Sequence, residues 1–234
     1  CNWSGGGAAQ TSVTTISGSG FFSSPSESVK LNRGAYAGNV SVLNLNGGVF
    51  QAYGLSPSYN VGGVVNFNGG TLQAGANSYP VGFMANLAAA YVYSGGATID
   101  DNGTAMNLGQ ALLAPAGNGV SSIAVSTGGA GYITPPQVMI SDSTGSGATA
   151  YATISGGTVS GIVVTCPGNN YSSPSVTLVG GGYTTAATPG TVSTVANTSG
   201  GRTKLGDGTL TLTNANTYTG PTNVLAGTLA IDTT

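Results

Sequence analysis

One stretch of the chain occurs twice, first as Val42-Leu43-Asn44-Leu45-Asn46-Gly47-Gly48-Val49-Phe50-Gln51-Ala52 and then, 22 residues later, as Val64-Val65-Asn66-Phe67-Asn68-Gly69-Gly70-Thr71-Leu72-Gln73-Ala74. Within each copy apolar and polar residues alternate, which is typical of β-strands, and the Gly-Gly step marks a bend between two strands. A gapless repeat of about 20 residues with two or three short strands has the length of one coil of a parallel β-helix. The repeat therefore predicts an all-β chain in which residue i stacks on residue i + 22.

Stacking the two copies predicts an apolar column inside and a ladder of polar side chains outside. A weaker third copy at 91–100 and two related units at 208–212 and 227–231 extend the pattern. Antiparallel hairpins that turn at each Asn-Gly-Gly are the alternative, but the unbroken register favours the parallel stack. The residues predicted to stack in the core are Leu43, Leu45, Phe50, Val65, Phe67 and Leu72. The residues predicted to form the ladder are Asn44, Asn46, Asn66 and Asn68.

The composition excludes several classes of function. Only 4% of the 234 residues are charged, with four Lys plus Arg, no His and a formal net charge of −2. Four cations cannot neutralise a run of phosphates, which argues against a nucleic-acid partner. Without histidine there is no His-based triad and no His-ligated zinc. Since the acidic residues are also scattered, we expect no enzymatic activity, no metal site and no cofactor.

The few charged residues are expected in turns and on the surface. The stretch Asp101-Asn102-Gly103 has the composition of a turn. If Asp100 and Asp101 lay on a strand, their adjacent carboxylates would face opposite ways rather than form a hydrolytic pair. Nothing in the spacing of the lysines indicates an isopeptide bond. Two basic pairs are expected to be solvated or paired with acids: Lys30 with Arg33, and Arg202 with Lys204, the candidate acids being Asp207 and Glu27.

The middle of the chain follows a different repeat, with an offset of 39 residues between 123–135 and 162–174. This pattern predicts a β module of two related halves at 120–183, inserted into or flanking the β-helix. The coils are then expected at 1–119 and 202–234, with 184–201 as a connector. The longest apolar stretch, 83–93, is shorter than the about 20 residues that span a membrane, so no membrane-spanning helix is expected.

Tyrosine and cysteine provide the remaining candidate residues. Tyr132 and Tyr171 occupy matching positions before prolines, which favours buried turn anchors, while stacking on sugar rings is the alternative. A disulfide between Cys1 and Cys166 is expected only if the fold brings them together. Cys1 is either the lipid-modified first residue of a bacterial lipoprotein or simply the point where processing starts, and the sequence leaves both open.

Two stretches resemble known bacterial repeats. The first comprises residues 206–229, with the sequence Gly-Asp-Gly-Thr-Leu-Thr-Leu-Thr-Asn-Ala-Asn-Thr-Tyr-Thr-Gly-Pro-Thr-Asn-Val-Leu-Ala-Gly-Thr-Leu. This stretch closely resembles the autotransporter-associated β-strand repeat. The second stretch is Gly129-Ala130-Gly131-Tyr132-Ile133-Thr134-Pro135-Pro136. It is similar to Gly/Tyr/Pro repeats of large bacterial surface proteins. The first resemblance implies a right-handed parallel β-helix in a secreted protein, extracellular or at the cell surface, usually a passenger stalk or adhesin.

A β-helix has two open ends, and no capping segment is evident in the sequence at either end. We therefore expect the chain to bind a second copy of itself, head to tail, and to form a fibre. The alternative is an adhesin stalk that binds glycan or a host surface through the central β module. The residues expected at the assembly edges are Leu210, Leu212, Leu229 and Ile231 at one end and Val13 and Ile16 at the other.

Overall fold

The computed structural model describes residues 11–31, 39–57, 62–76 and 82–232. Throughout these residues the regular structure is β-strand, with no helix, and most strands stack in parallel as the sequence predicted. The chain forms two compact units. The solenoid unit contains the described residues up to Ala114 and from Thr198 onward, and the inserted unit contains Pro115–Asn197.

The solenoid unit begins with two long strands that bend around corners, so that each forms a coil by itself. Coil 1 is β1, Thr11–Leu31, and coil 2 is β2, Val40–Pro57. The two strands pair in parallel from Thr11 with Val40 to Leu31 with Pro57. Each coil therefore passes through three strand segments, or faces, before the chain rises to the next coil.

The next coils divide the same path into separate short strands. Coil 3 contains β3 Gly63–Phe67, β4 Thr71–Ala74 and the single bridge residue Met84; coil 4 contains β5 Ala89–Val92, β6 Ala97–Asp100 and β7 Met106–Leu108. The first face of coil 2 pairs with β3 and then β5, and its second face pairs with β4 and then β6. On the third face Leu55 bridges Met84, which bridges Leu108.

Coil 5 starts before the inserted unit and finishes after it. Its strands are β8 Leu112–Leu113, β15 Arg202–Leu205 and β16 Thr209–Leu212, which stack on β5, β6 and β7 of coil 4. Coil 6 contains β17 Thr222–Val224 and β18 Thr228–Ile231, which stack on β15 and β16. The inserted unit therefore occupies the corner between the first and second faces of coil 5.

Glycine pairs form that corner in coils 2 to 5. The stacked pairs are Gly47-Gly48, Gly69-Gly70, Gly95-Gly96 and Gly200-Gly201. A Cβ on Gly70 would lie 2.8 Å from the carbonyl oxygen of Gly47, closer than real Cβ atoms approach. The Ala97 amide donates to the carbonyl oxygen of Gly201 at 2.9 Å, so the backbone ladder continues across the insertion.

The core of the solenoid unit consists of columns of apolar side chains that point inward from successive coils. Leu43 pairs with Val65, Leu45 with Phe67 and Phe50 with Leu72. All six are buried, in the register that the 22-residue repeat predicts. Full burial of a side chain of this size contributes about 1.5–3 kcal/mol, so the column is a large part of the folding free energy.

The inserted unit is made of three antiparallel strand pairs. Its strands are β9 Asn118–Thr127, β10 Gln137–Ser141, β11 Thr149–Ser155, β12 Thr158–Cys166, β13 Ser175–Val179 and β14 Thr188–Ala196. β9 pairs with β14, β10 with β13 and β11 with β12. The segment 184–201, expected to be a connector, thus contains β14, and the unit extends beyond 120–183 because β14 completes the pairing of β9.

We predict that Gly96→Ala destabilises the solenoid unit far more than Gly103→Ala. Both glycines lie in coil 4 with similar positive φ, +79° and +75°, so both substitutions carry the about 1–2 kcal/mol cost of a left-handed residue. A Cβ on Gly96 would in addition lie 2.9 Å from the carbonyl oxygen of Gly201, whereas a Cβ on Gly103 meets nothing within 4 Å.

The steric clash adds about 1–3 kcal/mol for Gly96→Ala alone. Urea unfolding of both variants measures the difference in the free energy of unfolding. Equal losses of stability would contradict the close stacking of the corners.

Candidate functional site

The last described coil presents open strand edges. Within the described residues β17 pairs only with β15, and β18 pairs only with β16. Val224 lies above the buried Lys204 and Ile231 above the buried Leu212, yet Val224 is 45% and Ile231 60% exposed. The positions whose side chains are buried in the earlier coils are thus exposed in coil 6.

The residues predicted for this edge lie in two different coils. Leu229 and Ile231 are in the last strand, β18, as expected for an edge. Leu210 and Leu212 are not at the edge: they are buried in coil 5, because β18 stacks on them from one side and β7 from the other. The prediction was wrong for these two because 208–212 and 227–231 are successive coils rather than one edge.

The opposite end of the described solenoid is coil 1. β1 pairs only with β2 in the part of the chain that the structure describes. Val13 is exposed, while Ile16 is half-buried and packs against the core. Phe22 points inward and stacks on Phe50, with ring centroids 4.6 Å apart and an interplanar angle of 8°, but is 38% exposed. This end also presents uncovered apolar side chains.

Two of the four predicted ladder residues, Asn44 and Asn66, form a ladder, and it is buried rather than solvent-facing. Asn66 Nδ2 donates to Asn44 Oδ1 at 2.9 Å, and Asn44 Nδ2 donates to Thr15 Oγ1 at 3.3 Å. Both asparagines are buried. Of the other two predicted members, Asn46 pairs in register with Ser17, and Asn68 Oδ1 accepts the Gly95 amide at 2.9 Å.

A second ladder was not predicted from the sequence. Ser23 Oγ donates to Gln51 Oε1 at 2.7 Å, Gln51 Nε2 to Gln73 Oε1 at 2.8 Å, and Gln73 Nε2 to Asp100 Oδ2 at 2.7 Å. It connects the second faces of coils 1 to 4. The matching glutamines of the 22-residue repeat were a signal for its centre.

Two cations lie inside the solenoid, contrary to the expectation that they are solvated or paired with Asp207 or Glu27. Arg202 pairs with Ala97 and Lys204 with Ile99, both core positions, so the two basic side chains point inward. Lys204 Nζ lies 2.5 Å from Asp101 Oδ2, and neither side chain has any exposed surface. The pattern Ser-Gly-Gly-x-Thr, shared by 94–98 and 199–203, was the signal for this placement.

Arg202 is held by an aromatic residue of the following segment. Its Nε donates to the Tyr218 hydroxyl at 3.2 Å, and its guanidinium carbon lies 6.0 Å from the ring centroid. The Tyr218 hydroxyl also contacts Thr222 Oγ1 at 2.6 Å. The two terminal nitrogens of Arg202 have no hydrogen-bond partner, although the residue is only 1% exposed. Cation and ring together fill the core beneath coil 6.

Tyr132 and Tyr171 are buried anchors of the inserted unit. The Tyr132 hydroxyl accepts the amide of Ala187 at 2.9 Å, and the Tyr171 hydroxyl accepts the amide of Ala148 at 3.1 Å, two contacts related by the 39-residue offset. Burial raises the pKa of Tyr171 above its ordinary value. Both rings are covered, so neither is available to stack on a sugar.

The structure describes only one of the two cysteines considered for a disulfide. Cys166 is buried in the inserted unit, and its proposed disulfide partner Cys1 lies outside the described residues. Across the described ranges, no three His, Cys, Asp or Glu residues are grouped so that they could hold a metal ion. Among those same residues there is also no helix long and apolar enough to cross a membrane.

The comparison with protein families identifies one segment of the chain. The pattern of the passenger-associated-transport-repeat family matches residues 203–231, from β15 to β18. Searches of the curated proteins and of the solved structures find no match to this chain. The family match confirms the resemblance inferred from residues 206–229. The repeat and the parallel solenoid together are features of an autotransporter-passenger-like protein, a class secreted to the cell surface.

Asp142 provides a pH-sensitive contact within the inserted unit. Its carboxylate accepts the amides of Thr144 at 2.8 Å, Gly145 at 2.7 Å and Ser173 at 2.6 Å. The amides of Thr144 and Gly145, followed by that of Ser173, hold the pKa of Asp142 well below its usual range. The carboxylate thus joins the turn after β10 to the turn before β13.

We predict that Asp142→Asn lowers the thermal stability of the inserted unit at neutral pH and that this deficit disappears in acid. Because the pKa is lower in the folded state, the carboxylate stabilises the fold fully above the unfolded value of about 3.9. That stabilisation is lost as the pH falls through the folded value. Thermal unfolding between neutral and strongly acidic pH measures the effect, with Asp207→Asn in the solenoid unit as the control. A deficit that is independent of pH would contradict the assignment.

Proposed function

We propose that this chain is a structural surface protein, without catalytic activity, that assembles head to tail into a fibre through the exposed strand edges of coil 1 and coil 6. The observation that carries the proposal concerns the columns of inward-pointing side chains, which match between coil 6 and coil 1. If coil 1 of a second copy stacks on coil 6, apolar residues of the two copies meet in register.

The second-face column illustrates this continuity. It runs from Phe22 through Phe50, Leu72, Ile99 and Lys204 to Val224. Phe22 and Val224 are its two exposed ends. One further step of the same stack would place Phe22 of a second copy on Val224, and both side chains would become buried.

The third-face column has the same property. It runs from Val29 through Leu55, Met84, Leu108 and Leu212 to Ile231. A second copy in the same register places its Val29 on Ile231. Since β1, β17 and β18 also present strand edges, the contact would add parallel backbone hydrogen bonds. Such a contact joins two different surfaces of the protein, so that assembly continues into a fibre instead of stopping at a closed dimer.

The low charge of the chain favours the same mode of assembly. Exposed strand edges are usually protected from association by lysines, prolines or inward-pointing charges. Residues 222–231 contain no charged residue, β1 contains one acid, Glu27, and one base, Lys30, and the whole chain has only four cations and six acids. Electrostatic repulsion between copies is therefore weak.

We predict that Ile231→Lys raises the critical concentration for fibre formation at least tenfold. A lysine at this position would have to be buried without a partner, and a tenfold change corresponds to about 1.4 kcal/mol. The matched control is Val195→Lys, since Val195 is 58% exposed on the inserted unit, against 60% for Ile231. Sedimentation and electron microscopy measure the assembled fraction.

Mixing two end variants tests the head-to-tail geometry itself. Phe22→Lys blocks coil 1 and Ile231→Lys blocks coil 6, so each alone is expected to be monomeric. Mixed in equal amounts, they should form a one-to-one dimer and no fibre, because one intact end of each type is left. Assembly of either variant at the wild-type concentration, or a wild-type chain that stays monomeric, would contradict the proposal.

A further inference from the structure

We infer that Lys204 and Asp101 are the site of an intramolecular isopeptide bond, which joins coil 4 to coil 5 inside the solenoid. The amine nucleophile and the carboxyl group are in contact, at 2.5 Å between Nζ and Oδ2, and both side chains are fully buried. The inference rests on four features of this pair: its burial, the donors on Oδ1, the acceptors around Nζ and the lack of any amide donor to Oδ2.

Burial removes both groups of the ion pair from water, and the reaction requires their neutral forms. Two charges removed from water lose their hydration, and their mutual attraction repays this loss only partly. The neutral form differs from the ion pair by one proton, which has to pass from Nζ to the carboxyl group. Neutral Lys204 has a free electron pair on Nζ, and protonated Asp101 has a hydroxyl that can leave as water.

Oδ1 of Asp101 is placed where negative charge develops during the attack. It accepts the backbone amide of Gly103 at 3.0 Å and that of Gly208 at 3.0 Å. Two fixed amide donors on one carboxyl oxygen are the arrangement that stabilises a tetrahedral oxyanion. They also fix the orientation of the carboxyl group in the core.

The nitrogen is surrounded by acceptors that stabilise its positive charge in the intermediate. Nζ donates to the carbonyl oxygens of Leu205 at 3.1 Å, Gly206 at 2.7 Å and Ala226 at 3.0 Å. These carbonyls hold the amine beside the carboxyl group. Such positioning of the two reactants is a large part of the acceleration of an intramolecular reaction.

Oδ2 is the atom that the reaction removes. It is buried and lies in contact with Nζ, but no hydrogen bond is directed at it. Condensation removes this oxygen, while Oδ1, which has both amide donors, remains as the oxygen of the new amide.

The atoms and charges of the step balance without a cofactor. The Lys204 ammonium transfers one proton to Oδ2, and the neutral amine attacks Cγ, forming the N–C bond and placing negative charge on Oδ1. A second proton then passes from Nζ to the Oδ2 hydroxyl. The Cγ–Oδ2 bond breaks, one water leaves, and the amide retains one N–H. No group is oxidised or reduced.

The bond would give the solenoid a covalent link across its insertion. Asp101 precedes the inserted unit Pro115–Asn197 and Lys204 follows it, so the amide closes a ring that contains the whole unit. Pulling on the chain, or cutting it within the inserted unit, would then leave coils 4 and 5 joined.

Intact-mass spectrometry of the denatured wild-type chain tests the inference. The expected mass is that of the sequence minus one water, whereas Lys204→Met is expected to have the full mass of its sequence. Asp101→Asn is expected to lose ammonia instead of water and to reach the same final mass as the cross-linked wild type. A wild-type chain with its full sequence mass, or a water loss that persists in Lys204→Met, would overturn the inference.

Trypsin provides a second measurement that does not depend on folded variants. The only four cleavage residues are Lys30, Arg33, Arg202 and Lys204. In the cross-linked chain Lys204 is acylated, so 34–202 is expected to remain attached to 203–234 after complete digestion. Release of 205–234 as a separate peptide would show that no bond has formed.

Discussion

The solenoid depends on how closely the backbones of successive coils approach one another at their corners. Parallel strands lie about 4.8 Å apart, and where the chain turns from the first face to the second a side chain has no room. Gly47-Gly48, Gly69-Gly70, Gly95-Gly96 and Gly200-Gly201 meet this constraint. Because each coil takes its backbone hydrogen bonds from its neighbours, the stack needs few charges, and the first and last described coils are exposed edges.

The same stacking determines what the interior holds. Columns such as Phe50, Leu72 and Ile99 are apolar through coil 4, and coil 5 then places Arg202 and Lys204 in the core. Asp101 is the partner of Lys204, and Tyr218 is the partner of Arg202. The interior therefore becomes polar close to residue 203, where the match to the passenger-associated-transport-repeat begins. Lys204 connects coil 5 to coil 4 through its ion pair with Asp101, and to coil 6 through its hydrogen bond to the carbonyl oxygen of Ala226. Coil 6, above coil 5, presents apolar residues again at an open edge.

The sequence predicted the features that depend on regular spacing. The pairing of Leu43 with Val65 and of Phe50 with Leu72 follows from a gapless repeat. Coils were expected at 202–234, but the sequence did not show that Leu112-Leu113 belongs to the same coil as 202–212, because the inserted unit separates them. The signal was Ser199-Gly200-Gly201, which repeats the corner of coil 4. Burial of Lys204 was unpredictable from residue type, since charged side chains are rarely buried and its partner Asp101 is distant in sequence.

The central claim is that coil 5 continues the stack of coil 4 across the inserted unit. Scalar coupling through hydrogen bonds, measured by NMR between the amide nitrogen of Ala97 and the carbonyl carbon of Gly201, tests this directly. The account predicts a coupling for this pair, whose N···O distance is 2.9 Å, as for the Asn68 amide and the Leu45 carbonyl at 2.8 Å. A coupling between Asn68 and Leu45 without one between Ala97 and Gly201 would show that the stack ends before the insertion and would contradict the account.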